Sequence, residues 1–201
     1  MRNKLLLAMA VTGMMYGVSA YAVEDPTPPA KFGSGTVTFR GTITNAPCDI
    51  ATGDDDLHVD FGQVSYRSLK KQDVADDAHA KNFTIHLQNC EFDKGTAEGN
   101  NPAPDLMSRV QIAFSGTPAA DSKKAFVSTT DPNLGVQLIG SSGVAITPSS
   151  TPDFTKAGDP VQLSPGDTPL VYTAKLMNVG MEGSVKPGAF TIPVNYTLKY
   201  Q

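Results

Sequence analysis

An alternation of apolar and polar positions near the C-terminus is the clearest structural signal in this chain. Residues 188–201 read GAFTIPVNYTLKYQ, and large apolar side chains occupy every second position from Phe190 to Tyr200. Successive side chains of a strand point to opposite faces, so the pattern predicts a strand with one apolar and one polar face. Pro193 cannot donate a ladder hydrogen bond, which favours an edge strand or a bulge. The edge of such a strand needs a covering partner.

A second long strand is predicted at the other end of the chain, over residues 33–47. Val37, Phe39 and Ile43 share one parity, and Gly41 stands where a fourth large apolar residue is expected. Shorter alternating segments predict further strands at residues 57–64, 83–90, 110–114, 136–138, 144–146, 161–163 and 169–177. Many short strands separated by turns are typical of an immunoglobulin-like β-sandwich.

Two segments between the predicted strands carry no clear period. Residues 65–80 are polar and irregular, and a short helix over residues 68–77 is the only helix we consider. Residues 91–107 are rich in Gly, Asn and Pro and predict a long surface loop.

The first residues have the features of a secretory leader. Arg2 and Lys4 precede an apolar run over residues 5–18, and Ala20-Tyr21-Ala22 provides small residues for cleavage. The run is shorter than the roughly twenty residues that a membrane-spanning helix needs. The sequence therefore predicts a cleaved signal peptide over residues 1–22, followed by an extended proline-rich tail over residues 23–32.

Composition narrows the possible partners. The formal net charge is −4, and it falls to −6 when Arg2 and Lys4 leave with the leader. A mildly acidic chain without a basic cluster is a poor match for nucleic acid or an anionic membrane surface. Trp is absent, while 18 Gly and 15 Pro agree with an all-β chain rich in turns.

The two cysteines, Cys48 and Cys90, predict one disulfide. In an exported chain a single pair of cysteines is expected to be oxidised. The closed loop of about 43 residues corresponds to roughly 4 kcal/mol in the chain-entropy model. The cysteines do not form a C-x-x-C motif, and His58, His79 and His86 do not form a ligand cluster with them, so no metal site is predicted.

The sequence offers no catalytic constellation. There is no G-x-S-x-G motif, and both cysteines are committed to the disulfide. Asp54-Asp55-Asp56 is interpreted as a solvated turn, since no EF-hand spacing follows it. His86 lies between Ile85 and Leu87 on the predicted outward face of a strand. We therefore expect neither an enzyme nor a cofactor.

Several segments together match one known family. They are GTVTFRG at 35–41, NAPC at 45–48, VDFG at 59–62, FTIHLQNC at 83–90, VQIAFSG at 110–116 and the closing segment from Gly188. With them, the chain resembles the structural subunits of chaperone–usher fimbriae, especially the rod-forming pilins of the P-pilus and type 1 kind. The most specific points are Gly188 fourteenth from the C-terminus, Tyr200 as the penultimate residue, and one disulfide between the first and third strands.

The resemblance implies an incomplete immunoglobulin-like β-sandwich that lacks its last strand. Residues 42–201 would form this pilin domain, and residues 23–41 would be an N-terminal donor-strand extension. An apolar groove would then lie open beside the terminal strand. A periplasmic chaperone would cover this groove first, and the extension of the next subunit would replace it. This is strand addition to an exposed sheet edge.

The resemblance also assigns roles to residues. Val37 and Phe39 would fill a neighbour's groove, and Gly41 would sit where a side chain hinders insertion. Tyr200 and the terminal carboxylate would anchor the chaperone. The groove wall would be formed, after Gly188, by Phe190, Ile192, Val194, Tyr196 and Leu198.

The expected function is that of a structural subunit of a surface fimbria, exported through the periplasm of a Gram-negative bacterium with the help of a chaperone and an outer-membrane usher. A major rod subunit that polymerises with copies of itself and with related subunits is the preferred form. A minor adaptor or adhesive subunit is one alternative. Another is a self-contained, secreted carbohydrate- or receptor-binding sandwich, in which Val37 and Phe39 would belong to a first strand of the same domain.

Overall fold

The computed structural model describes residues 35–96 and 105–201 of the chain. It divides into two units, one containing residues 35–43 and the other Thr44–Gln201. The predicted leader and proline-rich tail lie outside the described residues, as do residues 97–104 of the predicted long loop. No helix in the described ranges is long and apolar enough to span a bilayer.

The second unit consists almost entirely of strands. In chain order they are β1 Asp49–Ile50, β2 Lys81–Cys90, β3 Arg109–Gly116, β4 Phe126–Val127, β5 Leu134–Ile139, β6 Val161–Gln162, β7 Gly166–Asn178 and β8 Val194–Tyr200. One sheet has the order β1-β2-β7-β5-β4, and the other has the order β6-β3-β8. All of these strand pairs are antiparallel.

An apolar core joins the two sheets. Buried side chains of β2, β5 and β7 meet those of β3, and half-buried side chains of β8 pack against the same cluster. The Phe114 ring of β3 contacts Tyr172 of β7 edge-on, with 5.0 Å between centroids, and Tyr172 stacks on Phe83 of β2 at 5.5 Å. Because residues from both sheets share this core, the unit is a β-sandwich.

The disulfide joins the segment before β1 to the end of β2. Cys48 and Cys90 are bonded and buried in the core, which confirms the predicted pairing. The predicted strands at residues 83–90, 110–114, 136–138, 161–163 and 169–177 correspond to β2, β3, β5, β6 and β7.

The terminal strand is shorter than the alternation predicts. It begins at Val194 rather than at Gly188, directly after Pro193. The last residue pair between β3 and β8 is Gly116 with Val194. Pro193 has no N–H to continue this ladder, so pairing with β3 stops there.

Three other predicted strands are wrong for a common reason. Residues 57–64 and the described part of 33–47 alternate in hydrophobicity but form no strand, and residues 144–146 make only an isolated bridge from Ala145 to Ile139. Alternation marks a chain that can be a strand, whereas a strand forms only where a neighbour accepts its backbone hydrogen bonds. Among the described residues, 35–46 and 57–64 form no ladder with a neighbour, and residues 144–146 pair only across one short turn, where the Ile146 N–H donates to the Leu138 carbonyl oxygen at 2.8 Å.

The irregular segments also differ from expectation. Residues 68–77 form turns and isolated bridges instead of a helix, with Gln72 and Ala75 each bridging to the end of β7. Asp54–Asp56 is a 3₁₀ helix in which Asp54 is buried, not a solvated turn. The described parts of the long loop are joined by a bridge and an ion pair between Lys94 and Asp105.

Candidate functional site

One edge of β8 has no strand partner among the described residues. Arg109 and Gln201 exchange both backbone hydrogen bonds, at 3.1 and 2.9 Å. In an antiparallel ladder such pairs recur at every second residue, so odd-numbered residues of β8 bond to β3. The backbone N–H and C=O groups of the even-numbered residues, Val194 to Tyr200, therefore point to the opposite edge. That edge is left open by the strand order β6-β3-β8.

The side chains of β8 follow the same alternation. Even-numbered side chains from Ile192 to Tyr200 are half-buried and pack against the core, whereas odd-numbered ones are exposed. The strand thus presents apolar side chains to the core and an unpaired backbone to its open side.

A groove of about 890 Å³ lies beside this open edge. One wall is formed by residues 55–61 and the other by residues 190–196, and Ile50 also contributes. The floor is apolar and consists of Phe83, Phe114, Val136, Leu138 and Ala174. We call this feature the β8 groove.

Two contacts connect the walls of the β8 groove. At one end the Tyr196 hydroxyl donates a hydrogen bond of 2.9 Å to the carbonyl oxygen of Asp54. At the other end the rings of Phe61 and Phe190 lie 6.3 Å apart. The two walls therefore run in opposite directions along the groove.

Asp54 holds the first of these contacts in place. Its carboxylate accepts hydrogen bonds from the His86 backbone N–H at 2.6 Å and lies 2.8 Å from His86 Nδ1. The backbone hydrogen bond from His86 is the main cause that lowers the pKa of Asp54 below its ordinary value. His86 is on the strand surface as predicted, but it is engaged with a buried carboxylate.

Burial is the main cause of the raised pKa values of the two tyrosines at and beyond the groove. It raises the pKa of Tyr196, and the charges of Asp54 and Asp55 raise it further. Burial also raises the pKa of Tyr200, whose buried hydroxyl oxygen has no hydrogen-bond partner in the described part of the chain. Both hydroxyls stay neutral at physiological pH, and the Tyr196 hydroxyl acts as a hydrogen-bond donor.

The structure brings together some of the predicted groove residues and separates others. Ile192, Val194 and Tyr196 line the groove together with Phe190, which also packs against the Leu134–Leu176 cluster. Leu198 and Tyr200 share the same strand face but pack beyond the groove. A Cβ atom added at Gly188 would meet no neighbour within 4 Å, so close packing does not explain this glycine.

The predicted donor residues lie in a segment without secondary structure. Val37 and Phe39 are 76% and 91% exposed. A Cβ atom at Gly41 would meet nothing within 4 Å.

Sequence reasoning missed the second wall of the groove. The sequence predicts a turn and an ordinary strand over residues 55–61. In the structure Val59 and Phe61 are half-buried, and His58 and Asp60 are exposed. The alternation of Leu57, Val59 and Phe61 was the available signal. It did not reveal that this segment faces β8 across an open space.

The described residues contain no cluster of three or more His, Cys, Asp or Glu side chains arranged to hold a metal ion. The groove floor is apolar, so the groove suits a partner that places apolar side chains in it.

Comparison with known proteins decides the family. The family model described as "Fimbrial protein" matches residues 37–201. The chain belongs to the fimbrial protein family. It is 30% identical to the F7-2 fimbrial protein of Escherichia coli over 201 residues, covering 98% of this chain and 99% of that protein. It is 30% identical to the Pap fimbrial major pilin protein of E. coli over 186 residues, covering 92% and 93% of the two chains.

A solved structure agrees with these relatives. A chain from a chaperone–usher pilus, in a structure that addresses uncoiling of the rod, superposes with a TM-score of 0.67 at 26% identity. The match covers 87% of this chain and 99% of that one. The protein is thus a structural subunit of chaperone–usher pili with an immunoglobulin-like sandwich, similar to rod pilins, and its family consists of fimbrial proteins rather than enzymes. It belongs to a surface pilus and assembles with other pilin subunits.

Proposed function

We propose that this chain is a major rod subunit that polymerises by donor-strand exchange. Residues 23–41 of one copy would enter the β8 groove of the next copy, with Val37 and Phe39 on the groove floor. The observation that carries this proposal is the open edge of β8 beside an apolar groove. An inserted strand would pair with the even-numbered backbone groups that β3 leaves unused.

Length and pattern support the proposed occupant. Seven residues of an extended strand span about 20 Å, and both the groove wall at 190–196 and the segment 35–41 have seven residues. The alternation of Val37 and Phe39 with Thr38 and Arg40 gives the segment one apolar face, as the groove floor requires.

The energetics favour insertion of this segment into an open groove. Val37 and Phe39 are largely exposed, and burying each of them is worth about 1.5–3 kcal/mol. The new ladder would add backbone hydrogen bonds of about 0.5–1.5 kcal/mol each. Gly41 would keep the end of the inserted segment free of a side chain.

The proposal includes a route to the surface. Residues 1–22 would be removed on export, and a periplasmic chaperone would cover the β8 edge until the subunit reaches an outer-membrane usher. Tyr200 and the terminal carboxylate would anchor this chaperone. Possession of both a donor segment and a groove supports a polymerising subunit over a tip adhesin. Likeness to major pilins supports the rod role over that of a minor adaptor.

A substitution in the donor segment tests the proposal. Phe39→Asp in the full chain should abolish surface pili in the strain that assembles them, because a carboxylate cannot enter an apolar groove without a large cost. Val144→Asp is the matched control, since Val144 is also an exposed apolar residue but lies outside the groove. Normal pilus yield from Phe39→Asp would refute donor-strand exchange.

A cysteine pair tests which chain supplies the donor. The native cysteines are bonded to each other, so thiols introduced by Phe39→Cys and Ile192→Cys would be the only free ones. Donor exchange predicts disulfides that link subunits into ladders on a non-reducing gel. Disulfides confined to single chains would instead support a self-contained sandwich. Phe39→Cys should be combined in turn with Phe190→Cys, Ile192→Cys and Val194→Cys, because the alignment of the donor segment along β8 decides which of these thiols lies next to it.

A further inference from the structure

The walls of the β8 groove differ in charge. The wall at residues 55–61 carries Asp55, Asp56 and Asp60, all exposed, which we call the acidic rim. The other wall, residues 190–196, carries no charged side chain, and the nearest charge along β8 is Lys199. An inserted segment would therefore meet negative charge on one side only.

The charges of the acidic rim are only lightly compensated within the described residues. Asp56 lies 3.7 Å from His58, and both side chains are more than four-fifths exposed. Asp60 accepts a hydrogen bond of 2.6 Å from the Gly62 backbone N–H. The described ion pairs include no Lys or Arg partner for these carboxylates. The Tyr196 hydroxyl reaches this wall through its hydrogen bond to the Asp54 carbonyl oxygen, and the charge of Asp55 contributes to raising the pKa of that hydroxyl.

The part of the donor segment that matches the groove in length, residues 35–41, carries one charge. Arg40 is the sole charged residue in the segment 35–43, and it directly follows Phe39. When Phe39 points to the groove floor, Arg40 points outward, because side chains of a strand alternate. On the acidic-rim wall the outward positions include Asp60, since Val59 and Phe61 are the half-buried ones. Arg40 and Asp60 thus share the outward face of the sheet, and Asp55 and Asp56 are exposed in the 3₁₀ helix of the same wall.

We infer that the acidic rim selects the donor segment of a second copy through Arg40, so that subunit pairing depends on this charge pair as well as on the apolar fit. This inference rests on the proposed donor-strand exchange and adds a specificity-determining contact to it. Opposite charges on neighbouring strands stabilise a pair, and like charges oppose it. Such pairs act mainly on the choice of partner and on the association rate. The outward positions of β8 next to the groove, Asn195 and Thr197, offer no comparable charge.

Charge reversal and its compensation test the inference in the full chain. Each variant is expressed as the sole subunit, and pilus yield is divided by the amount of subunit in the periplasm. Arg40→Glu should lower this ratio roughly fivefold, the scale of an exposed ion pair. Arg40→Lys should stay near the wild-type ratio. The rim variant Asp55→Lys/Asp56→Lys, which spares the Asp60–Gly62 hydrogen bond, should also lower it.

The decisive strain combines both changes. Arg40→Glu with Asp55→Lys/Asp56→Lys should recover most of the wild-type ratio, because the pair is restored with its signs exchanged. The matched control places the same charge change at Asp121→Lys/Asp159→Lys, two exposed positions outside the groove, and should not recover it. Raising the salt to about 0.5 M during assembly of purified subunits should shrink the Arg40→Glu defect.

The outcomes separate this inference from the proposal beneath it. If Phe39→Asp blocks assembly while Arg40→Glu assembles like wild type, the charge pairing is refuted and donor exchange stands. Recovery by the Asp121/Asp159 control would also refute the pairing, since net charge alone would explain the effect. If Phe39→Asp assembles normally, donor exchange itself fails.

Discussion

Tyr196 and Asp54 are 142 positions apart in the chain, yet the tyrosine hydroxyl donates a 2.9 Å hydrogen bond to the carbonyl oxygen of Asp54. This bond ties the last strand to the 3₁₀ helix and sets the separation of the groove walls at one end. Asp54 is held in turn by His86 on β2. The groove is therefore fixed by three elements that are far apart in sequence.

Removing this hydroxyl should destabilise the subunit modestly. Tyr196→Phe keeps the ring and deletes one neutral hydrogen bond, which predicts a loss of about 0.5–1.5 kcal/mol in the free energy of unfolding. Urea denaturation followed by circular dichroism measures it. Tyr66→Phe, at an exposed ring, is the control and should change little. Equal stability of the Tyr196 variant and wild type would mean that this bond does not hold the wall in solution.

The Asp54–His86 contact predicts a dependence of stability on acid pH. The pKa of Asp54 is lower in the folded chain than its ordinary value of 3.8, chiefly through the hydrogen bond from the His86 backbone. The stabilisation is therefore present above about pH 3.8 and is lost as the pH falls through the folded-state pKa. Asp54→Asn should flatten the fall in unfolding free energy below pH 4, and exposed Asp121→Asn should not. If the unfolding free energy of Asp54→Asn fell as steeply below pH 4 as that of wild type, the pH dependence would not come from Asp54.

The packing around Gly135 leaves no room for a side chain. A Cβ atom there would lie 2.8 Å from the Ala125 Cβ and 3.0 Å from the Phe126 carbonyl oxygen. Gly135→Ala should cost about 1–3 kcal/mol through overpacking. Gly158→Ala, at a position with open space, should be tolerated. Urea titrations measure the unfolding midpoints of the two variants. Similar midpoints would show that the backbone of β5 moves readily to accommodate the added methyl group.

Much of this fold is predictable from local sequence pattern. Residues 169–177 and 83–90 alternate and do become β7 and β2, because each finds a neighbour that takes its backbone hydrogen bonds. Residues 57–64 alternate equally well but stay outside any sheet. Periodicity reports which face of a segment is apolar, and it does not report whether a partner is present.

The candidate site was only half predictable for the same reason. The apolar face of the terminal strand identifies Ile192, Val194 and Tyr196 as wall residues. The opposite wall depends on Asp54 meeting Tyr196 and Phe61 meeting Phe190, which are long-range contacts without a local signal. The effect of Pro193 on strand pairing can be predicted only when the β3–β8 register is known. In this register the missing N–H of Pro193 faces β3, so the open edge of β8 is not interrupted.

Loss of the disulfide should be the largest single change in stability. Cys48–Cys90 closes a loop with a sequence separation of 42 residues, which corresponds to roughly 4 kcal/mol in the chain-entropy model. Unfolding of Cys48→Ser/Cys90→Ser should therefore occur at much lower urea than for wild type. Adding reductant during unfolding should lower the wild-type midpoint and leave that of the variant unchanged. A variant as stable as wild type would show that the sandwich does not rely on this bond.

Hydrogen exchange can test the state of the two edges of β8 residue by residue. The amides of Asn195, Thr197 and Lys199 face β3, so they should exchange slowly in the unassembled full chain. The amides of Tyr196 and Leu198 face the open edge and should exchange much faster. Assembly should slow these two selectively, because an inserted strand would accept their hydrogen bonds. Slow exchange at Tyr196 and Leu198 before assembly would mean that the edge is already covered within one chain, and the sandwich would then be complete by itself.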